Sequence, residues 1–132
     1  MSRIISLSEA ASIGIHGIIL VAKGEGLVNV QTIAEATNTS KHHVAKIMQR
    51  LVKEGFLISH RGPGGGFILK KKPKEINLLA VYESIEGKLV ATKCPLDKHI
   101  CPFDKCIMNN VTYEMTVKFK DYLKSQTIDK YL

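Results

Sequence analysis

The chain has 132 residues and a mass of 14.6 kDa, enough for one hydrophobic core but short for two independent ones. A hydrophobic fraction of 45% and a charged fraction of 23% exclude global disorder and a fibrous repeat. A formal net charge of +7 and an isoelectric point near 9.4 point to a polyanionic partner, nucleic acid or an acidic membrane surface, and the placement of the charge must decide between them.

Ser8 and Glu9 stand in N-cap and first-turn positions, ahead of apolar residues at helical spacing (Ala11, Ile15, Ile18, Ile19, Ala22). Gly24 and Gly26 close the segment, which predicts a first helix over residues 8–23. Its apolar run is interrupted by Gly14, His16 and Gly17 and falls short of the roughly 20 residues that a membrane span requires. No small-residue cleavage site follows, so neither a membrane partner nor a signal peptide is expected, and the default compartment is the reducing cytoplasm. His16, on this apolar helix, is expected to be a core histidine with satisfied hydrogen bonds.

Residues 30–36 predict a second, short helix ended by Asn38. Ser40 is placed to cap a third, whose stripe Val44, Ile47, Met48 and Leu51 runs to a terminal Gly55. Two short helices about a polar turn form a helix-turn-helix. Residues 56–61 are rich in β-branched and aromatic types, the turn GPGGG follows, and residues 67–71 make a second strand. A hairpin directly after a helix-turn-helix is a winged helix. Residues 76–85 predict a connecting helix ended by Gly87. From Ile107 to about Ser125, Met108, Val111, Met115, Phe119 and Tyr122 recur at spacings of three and four, the stripe of a long amphipathic helix. The fold class is mainly α with a small β-hairpin wing (α+β). Residues 1–74 are expected to form the winged helix-turn-helix DNA-binding domain. Residues 75–132 would supply the connecting helix, a cysteine loop and a C-terminal dimerisation helix, with the first helix packing on that arm and the whole forming one compact unit.

The basic residues concentrate on the winged helix. Lys41, Lys46, Arg50, Lys53, Arg61, Lys70, Lys71, Lys72 and Lys74 are opposed between residues 40 and 74 only by Glu54. Such placement serves phosphate neutralisation on double-stranded DNA, although any single lysine reads equally as a solvated charge and Lys70 to Lys72 also protect an edge strand. His42 and His43, at the start of the third helix, are placed to reach base edges in the major groove, with packing of His43 against the second helix as its alternative. Thr39 and Ser40 can donate to phosphate, though capping alone explains Ser40. Gln31, in the first turn of the second helix, completes the candidate DNA-binding set on these two helices.

The string RGPGGGF, residues 61–67, lets the backbone take positive φ and lie close to another surface. With Arg61 at its base and Gly64 and Gly65 at its tip, a wing entering the minor groove is expected. A phosphate-binding loop of the nucleotide-enzyme type is excluded, because no GK[ST] follows and no helix begins there.

All three cysteines fall in KCPLDKHICPFDKC, residues 93–106. In a reducing compartment clustered thiols are metal ligands or redox sensors more often than disulfides. Three thiolates in one loop suit an iron-sulfur cluster with one position left for another group. Pro95 and Pro102 favour extended backbone at Cys94 and Cys101, and Lys93, Lys98, His99 and Lys105 favour thiolate. Zinc held by three cysteines and His99 is an alternative, as are free thiols or a redox disulfide; His99 otherwise reads as a solvated loop residue. No conventional catalytic constellation is present, and the chain is not read as an enzyme.

The helix order, the Ile33, Ala34, Glu35 helix-turn-helix, the wing RGPGGGF, the segment Ile76, Asn77, Val81, Ile85, Glu86, Gly87, the cysteine loop and the long last helix together resemble the bacterial IscR/NsrR-like regulators, also called the Rrf-two family. The resemblance covers essentially the full length. It implies a homodimeric transcription regulator, repressor or activator, whose C-terminal helices pair and which binds a pseudo-palindromic operator. In many members three loop cysteines hold a cluster that controls DNA binding; by position these are Cys94, Cys101 and Cys106, holding either [2Fe–2S] or [4Fe–4S] and sensing iron, redox state or nitric oxide. A further donor is needed, and Asp97, His99 and Asp104 lie nearby. The resemblance also implicates Glu9, reaching the cluster of the partner subunit, although the helix dipole alone favours an acid there. The alternatives are a winged-helix regulator with structural zinc or with a small-ligand or partner-protein signal, and a small iron-sulfur interaction or electron-transfer module.

Overall fold

Side-chain caps fix where four of the helices begin in the computed structural model, which describes residues 7–92 and 100–132. The Ser8 hydroxyl accepts the Ala11 N–H ahead of α1 (Glu9–Lys23), and the Asn29 amide oxygen accepts the Thr32 N–H ahead of α2 (Val30–Thr37). Ser40 does the same for His43 ahead of α3 (Lys41–Lys53), and Asn77 for Ala80 ahead of α4 (Leu78–Glu86). Each such cap stabilises its helix by about 1 kcal/mol. Asn38 ends α2 in the left-handed region at φ 53°, a conformation that asparagine tolerates better than most residues.

The hairpin pairs β1 (Leu57–His60) antiparallel with β2 (Gly66–Leu69), in the register Leu57 with Leu69 to His60 with Gly66. Both strands are shorter than the sequence suggests. In compensation Val28, just before α2, makes an isolated antiparallel bridge to Phe67 through N–H···O bonds of 3.1 and 2.8 Å, a pairing the sequence reading missed.

The last helix, α5 (Val111–Ser125), begins four residues later than Ile107, where the periodicity places it. Asn109 and Asn110 have φ of 51° and 58°, and two successive left-handed residues cannot continue a right-handed helix. Residues 107–110 instead form a turn, in which the Asn109 N–H bonds the Cys106 carbonyl at 3.1 Å and the Val111 N–H bonds that of Met108 at 3.0 Å.

Helix α1 lies at the centre, against α2, α3, α4 and β2. Two glycines make that approach possible: a Cβ at Gly14 would stand 2.0 Å from Ile85 Cδ1, and one at Gly17 2.8 Å from Met48 Sδ. The expected stripe of α3, Val44, Ile47, Met48 and Leu51, is buried against Ile13, Ile18 and Val21 of α1 and Ile33 of α2. The same core takes in Phe56, Leu57 and Phe67 from the hairpin and continues past residue 75 through Ile76, Leu79, Val81, Leu123 and Ile128. A 3₁₀ turn at Ile128–Tyr131 clips the chain end to the start of α4, with the Ile128 N–H bonding the Ile76 carbonyl and the Leu78 N–H that of Gln126, both at 2.9 Å. His16 is not in this core. It lies exposed on the outer face of α1, its Nδ1 2.7 Å from the Ser12 carbonyl, because the inner face is filled by Ala11, Ile15 and Ile18. Among the described residues no helix is long and apolar enough to cross a membrane.

Candidate nucleic-acid interface and cysteine loop

Helix α3 turns its outer face to solvent with Lys41, His42, Lys46 and Gln49 exposed, the last three at spacings of four and three on one side. Lys41 is steadied by Gln31: its Nζ donates to Gln31 Oε1 at 3.0 Å, and Gln31 Nε2 donates to Glu35 Oε1 at 2.9 Å. The structure therefore joins two of the expected residues into one strut across the helix-turn-helix. Ser40 is engaged as the α3 cap, as foreseen.

Four other side chains have partners within the chain. Thr37 donates its hydroxyl to the Ile33 carbonyl at 2.7 Å, so the 2.7 Å contact between the hydroxyls of Thr37 and Thr39 takes the proton of Thr39, which then has none to give a phosphate. His43 is half-buried at the start of α3. Its Nδ1 lies 3.0 Å from Glu9 Oε1 on α1. Arg50 is exposed but engaged within the chain, its Nε donating to the Ser84 carbonyl of α4 at 2.9 Å. Lys71 places its ammonium 4.9 Å from the centre of the Phe56 ring, a cation–π contact that holds it on the hairpin.

The wing keeps Arg61 exposed at its base. The close approach inferred from its glycines is met within the chain. A Cβ at Gly65 would stand 2.2 Å from the His60 carbonyl, and one at Gly66 2.6 Å from that of Val28, whereas Gly64 faces open space. Between the wing, the start of α2 and α3 lies a groove of about 450 Å³, lined by Asn29, Gln31, Gln49, Ser59, His60 and Arg61 among others and by no carboxylate. Gln49 spans it toward Ser59, with Nε2 3.5 Å from Oγ. Gln49, Ser59 and His60 were missed in sequence; the one available signal was that Gln49 continues the His42 and Lys46 face.

Cys94 lies outside the described residues, as do Lys93, Asp97, Lys98 and His99. Cys101 and Cys106 are half-buried free thiols. Backbone N–H groups hold the Cys106 pKa below the ordinary thiol value, Asn110 contributing most and then Met108, with a smaller contribution from Asn109; slight burial opposes them. The turn that delays α5 thus forms a small amide nest that favours thiolate. Two thiols with no disulfide, one with its pKa lowered, amid Ile100, Phe103 and Ile107 are a donor set that fits a thiolate-bound metal centre in kind. Among the described residues no three His, Cys, Asp or Glu side chains converge, and Glu9 stands beside His43. The same stretch is apolar and uncovered: Ile107 is 74% exposed, with Val90, Phe103, Met108 and Val111 also open to solvent. On α5 only Leu123 is buried. Phe119 packs edge-on against Tyr82, ring centres 6.1 Å apart, while Tyr122 of the expected stripe is exposed.

Residues 7–132 match the Rrf2 family model, whose description is iron-dependent transcriptional regulator. The HTH-type transcriptional regulator IscR of Pectobacterium atrosepticum is 29% identical over 106 residues, which are 80% of this chain and 65% of that protein. This chain therefore spans just under two thirds of that relative. The solved structure of T. potens IscR aligns over 96% of this chain and 85% of its own with a TM-score of 0.75 and 25% identity. CymR, described as the global cysteine regulator of B. subtilis, aligns over 96% and 95% with a TM-score of 0.78 at 24% identity, a likeness of fold.

Proposed function

This chain belongs to the Rrf2 family of transcriptional regulators, and we propose that it binds double-stranded DNA with α3 in the major groove and the Arg61 wing in the adjacent minor groove, under the control of a metal centre on the cysteine loop. The observation that carries the reading is the exposed face His42, Lys46 and Gln49, flanked by Lys41 and set beside Arg61 across a groove lined by no carboxylate. Lysines there neutralise phosphates and fix register, His42 and Lys46 meet base edges, and Gly64 lets the wing tip lie close. Ser40 and the Gln31–Lys41 strut hold the turn against the backbone.

The uncovered apolar residues of the loop and α5 support a homodimer in which the α5 helices pair, since so large an apolar area on a small domain marks an interface. A two-fold dimer binds a pseudo-palindrome with half-sites about one or two helical turns apart. Cys94, Cys101 and Cys106 would hold an iron-sulfur cluster, with Glu9 of the partner subunit as a further ligand. When bound, such a cluster supplies a centre sensitive to iron supply, oxidants or nitric oxide. The protein would act in the cytoplasm as a repressor or activator rather than as an enzyme. The second reading is a regulator with structural zinc, held by the loop cysteines and His99, or with no metal. Anaerobic purification with metal and sulfide analysis separates them: iron with acid-labile sulfide and visible absorption supports the cluster, while a colourless protein with stoichiometric zinc supports the other.

A further inference from the structure

The last turn of α4 ends in four residues that each dock onto a different part of the chain. The Glu83 carboxylate accepts the Leu89 N–H at 2.7 Å and the Glu83 carbonyl accepts the Gly87 N–H at 2.9 Å, which fasten the chain as it leaves for the cysteine loop. The Ser84 carbonyl accepts Arg50 Nε of α3 at 2.9 Å. Ile85 lies against Gly14 of α1, so closely that a Cβ there would be 2.0 Å from its Cδ1. The Glu86 carboxylate accepts the Ser8 hydroxyl at the head of α1. One residue on, Glu9 holds His43 in the first turn of α3 at 3.0 Å. Helix α3 is thereby held at both ends by one turn: its C-terminal end directly, its N-terminal end through the head of α1.

The Arg50 contact is built for this task. Ser84 supplies one of the last four carbonyls of α4, which have no helical donor, and the helix dipole makes that end electronegative. A guanidinium N–H there forms a charge-assisted bond with a fixed direction, which an ammonium on a flexible stem does not reproduce. We propose that Arg50 is a positioning residue for DNA recognition and not a DNA contact: it fastens the recognition helix to the last turn of α4, so that a shift of the chain leaving for the cysteine loop reorients α3. The proposal rests on the DNA-binding reading above. It explains why an arginine in the basic stretch bonds α4, and it routes the loop to both ends of the reading helix through packed elements rather than through a distant field.

The test is DNA binding over a salt series, by fluorescence anisotropy with a duplex selected for the wild-type protein. Arg50→Ala and Arg50→Lys are each compared with wild type, in the intact chain and with Cys94, Cys101 and Cys106 all changed to Ser. Both variants are expected to bind about three- to tenfold more weakly, the loss of one charge-assisted hydrogen bond. The slope of log K against log salt should stay unchanged, and the difference between the intact and cysteine-free backgrounds should shrink toward none. A slope reduced by about 0.9 in Arg50→Ala, with rescue by Arg50→Lys, would make Arg50 a phosphate contact and overturn the proposal. So would unchanged affinity with an undiminished background difference, or equal binding by the intact and cysteine-free wild type. A wild-type protein without salt-dependent DNA binding would refute the functional reading itself. Arg50→Lys, which preserves charge and bulk, keeps the test valid if Arg50→Ala does not fold.

Discussion

The winged-helix half and the stretch from Ile100 to Leu123 treat their apolar residues in opposite ways. In the first, the α3 stripe meets α1 so closely that Met48 and Leu51 are 0% exposed and glycines are needed where the helices touch. In the second, Ile100, Phe103, Ile107, Met108 and Val111 stand in solvent, and only Leu123 and part of Phe119 find the core. The difference is not one of hydrophobicity but of a facing element. Helix α1 supplies one to α2, α3 and α4, whereas nothing described in this chain faces the loop and the start of α5. A region with apolar content and no facing element is one that a partner can complete, and on the function proposed above that partner is a second copy, with a metal centre on the loop.

That contrast can be broken most directly by truncating one residue on each side. Leu51→Ala should cost about 2–5 kcal/mol in denaturant unfolding, as buried leucines do. Ile107→Ser should cost less than about 0.5 kcal/mol in the protomer and should instead shift sedimentation toward monomer. Comparable losses of stability at both sites would erase the distinction.

Smaller effects sharpen it. Gly66→Ala forces a Cβ against the Val28 carbonyl and should destabilise by about 1–3 kcal/mol, visible as a lower thermal midpoint, because backbone cannot yield as a side-chain tip can. On the DNA face, His42→Ala should change base preference by about 1–3 kcal/mol at one position if the imidazole reads a base edge. Lys46→Ala should do likewise, whereas a uniform loss across operator variants with a salt slope lowered by about 0.9 would reduce Lys46 to a phosphate contact. Asn29→Ala, which removes the α2 cap, should cost about 1 kcal/mol in unfolding and leave the dimer intact.

Local chemistry was legible in the sequence where a residue acts on its own neighbourhood. The caps at Ser8 and Ser40, the stop at Asn38, the α3 stripe and the hairpin follow from spacing and side-chain type, and the structure repeats them. Partners far along the chain were not legible. Arg50 and Ser84 are 34 residues apart, as are His43 and Glu9, and no periodicity connects them. Val28 pairs through a single bridge, too short to leave an alternation. The periodicity of Ile107 and Met108 ran on past asparagines whose positive φ ends the pattern, so the helix was read too long. Cys106 was legible as a candidate ligand, but the amides that favour its thiolate come from that same misread turn.

Control of DNA occupancy by the cysteine loop is tested most directly by one titration. Anaerobically purified protein and the same preparation stripped of its metal by a chelator are each titrated with the selected pseudo-palindromic duplex at fixed salt, with a scrambled duplex as competitor. The reading advanced here predicts specific binding whose affinity differs between the two preparations, with that difference lost when Cys94, Cys101 and Cys106 are replaced by Ser. Equal affinity in both preparations, or no preference for the selected duplex over the scrambled one, would contradict it.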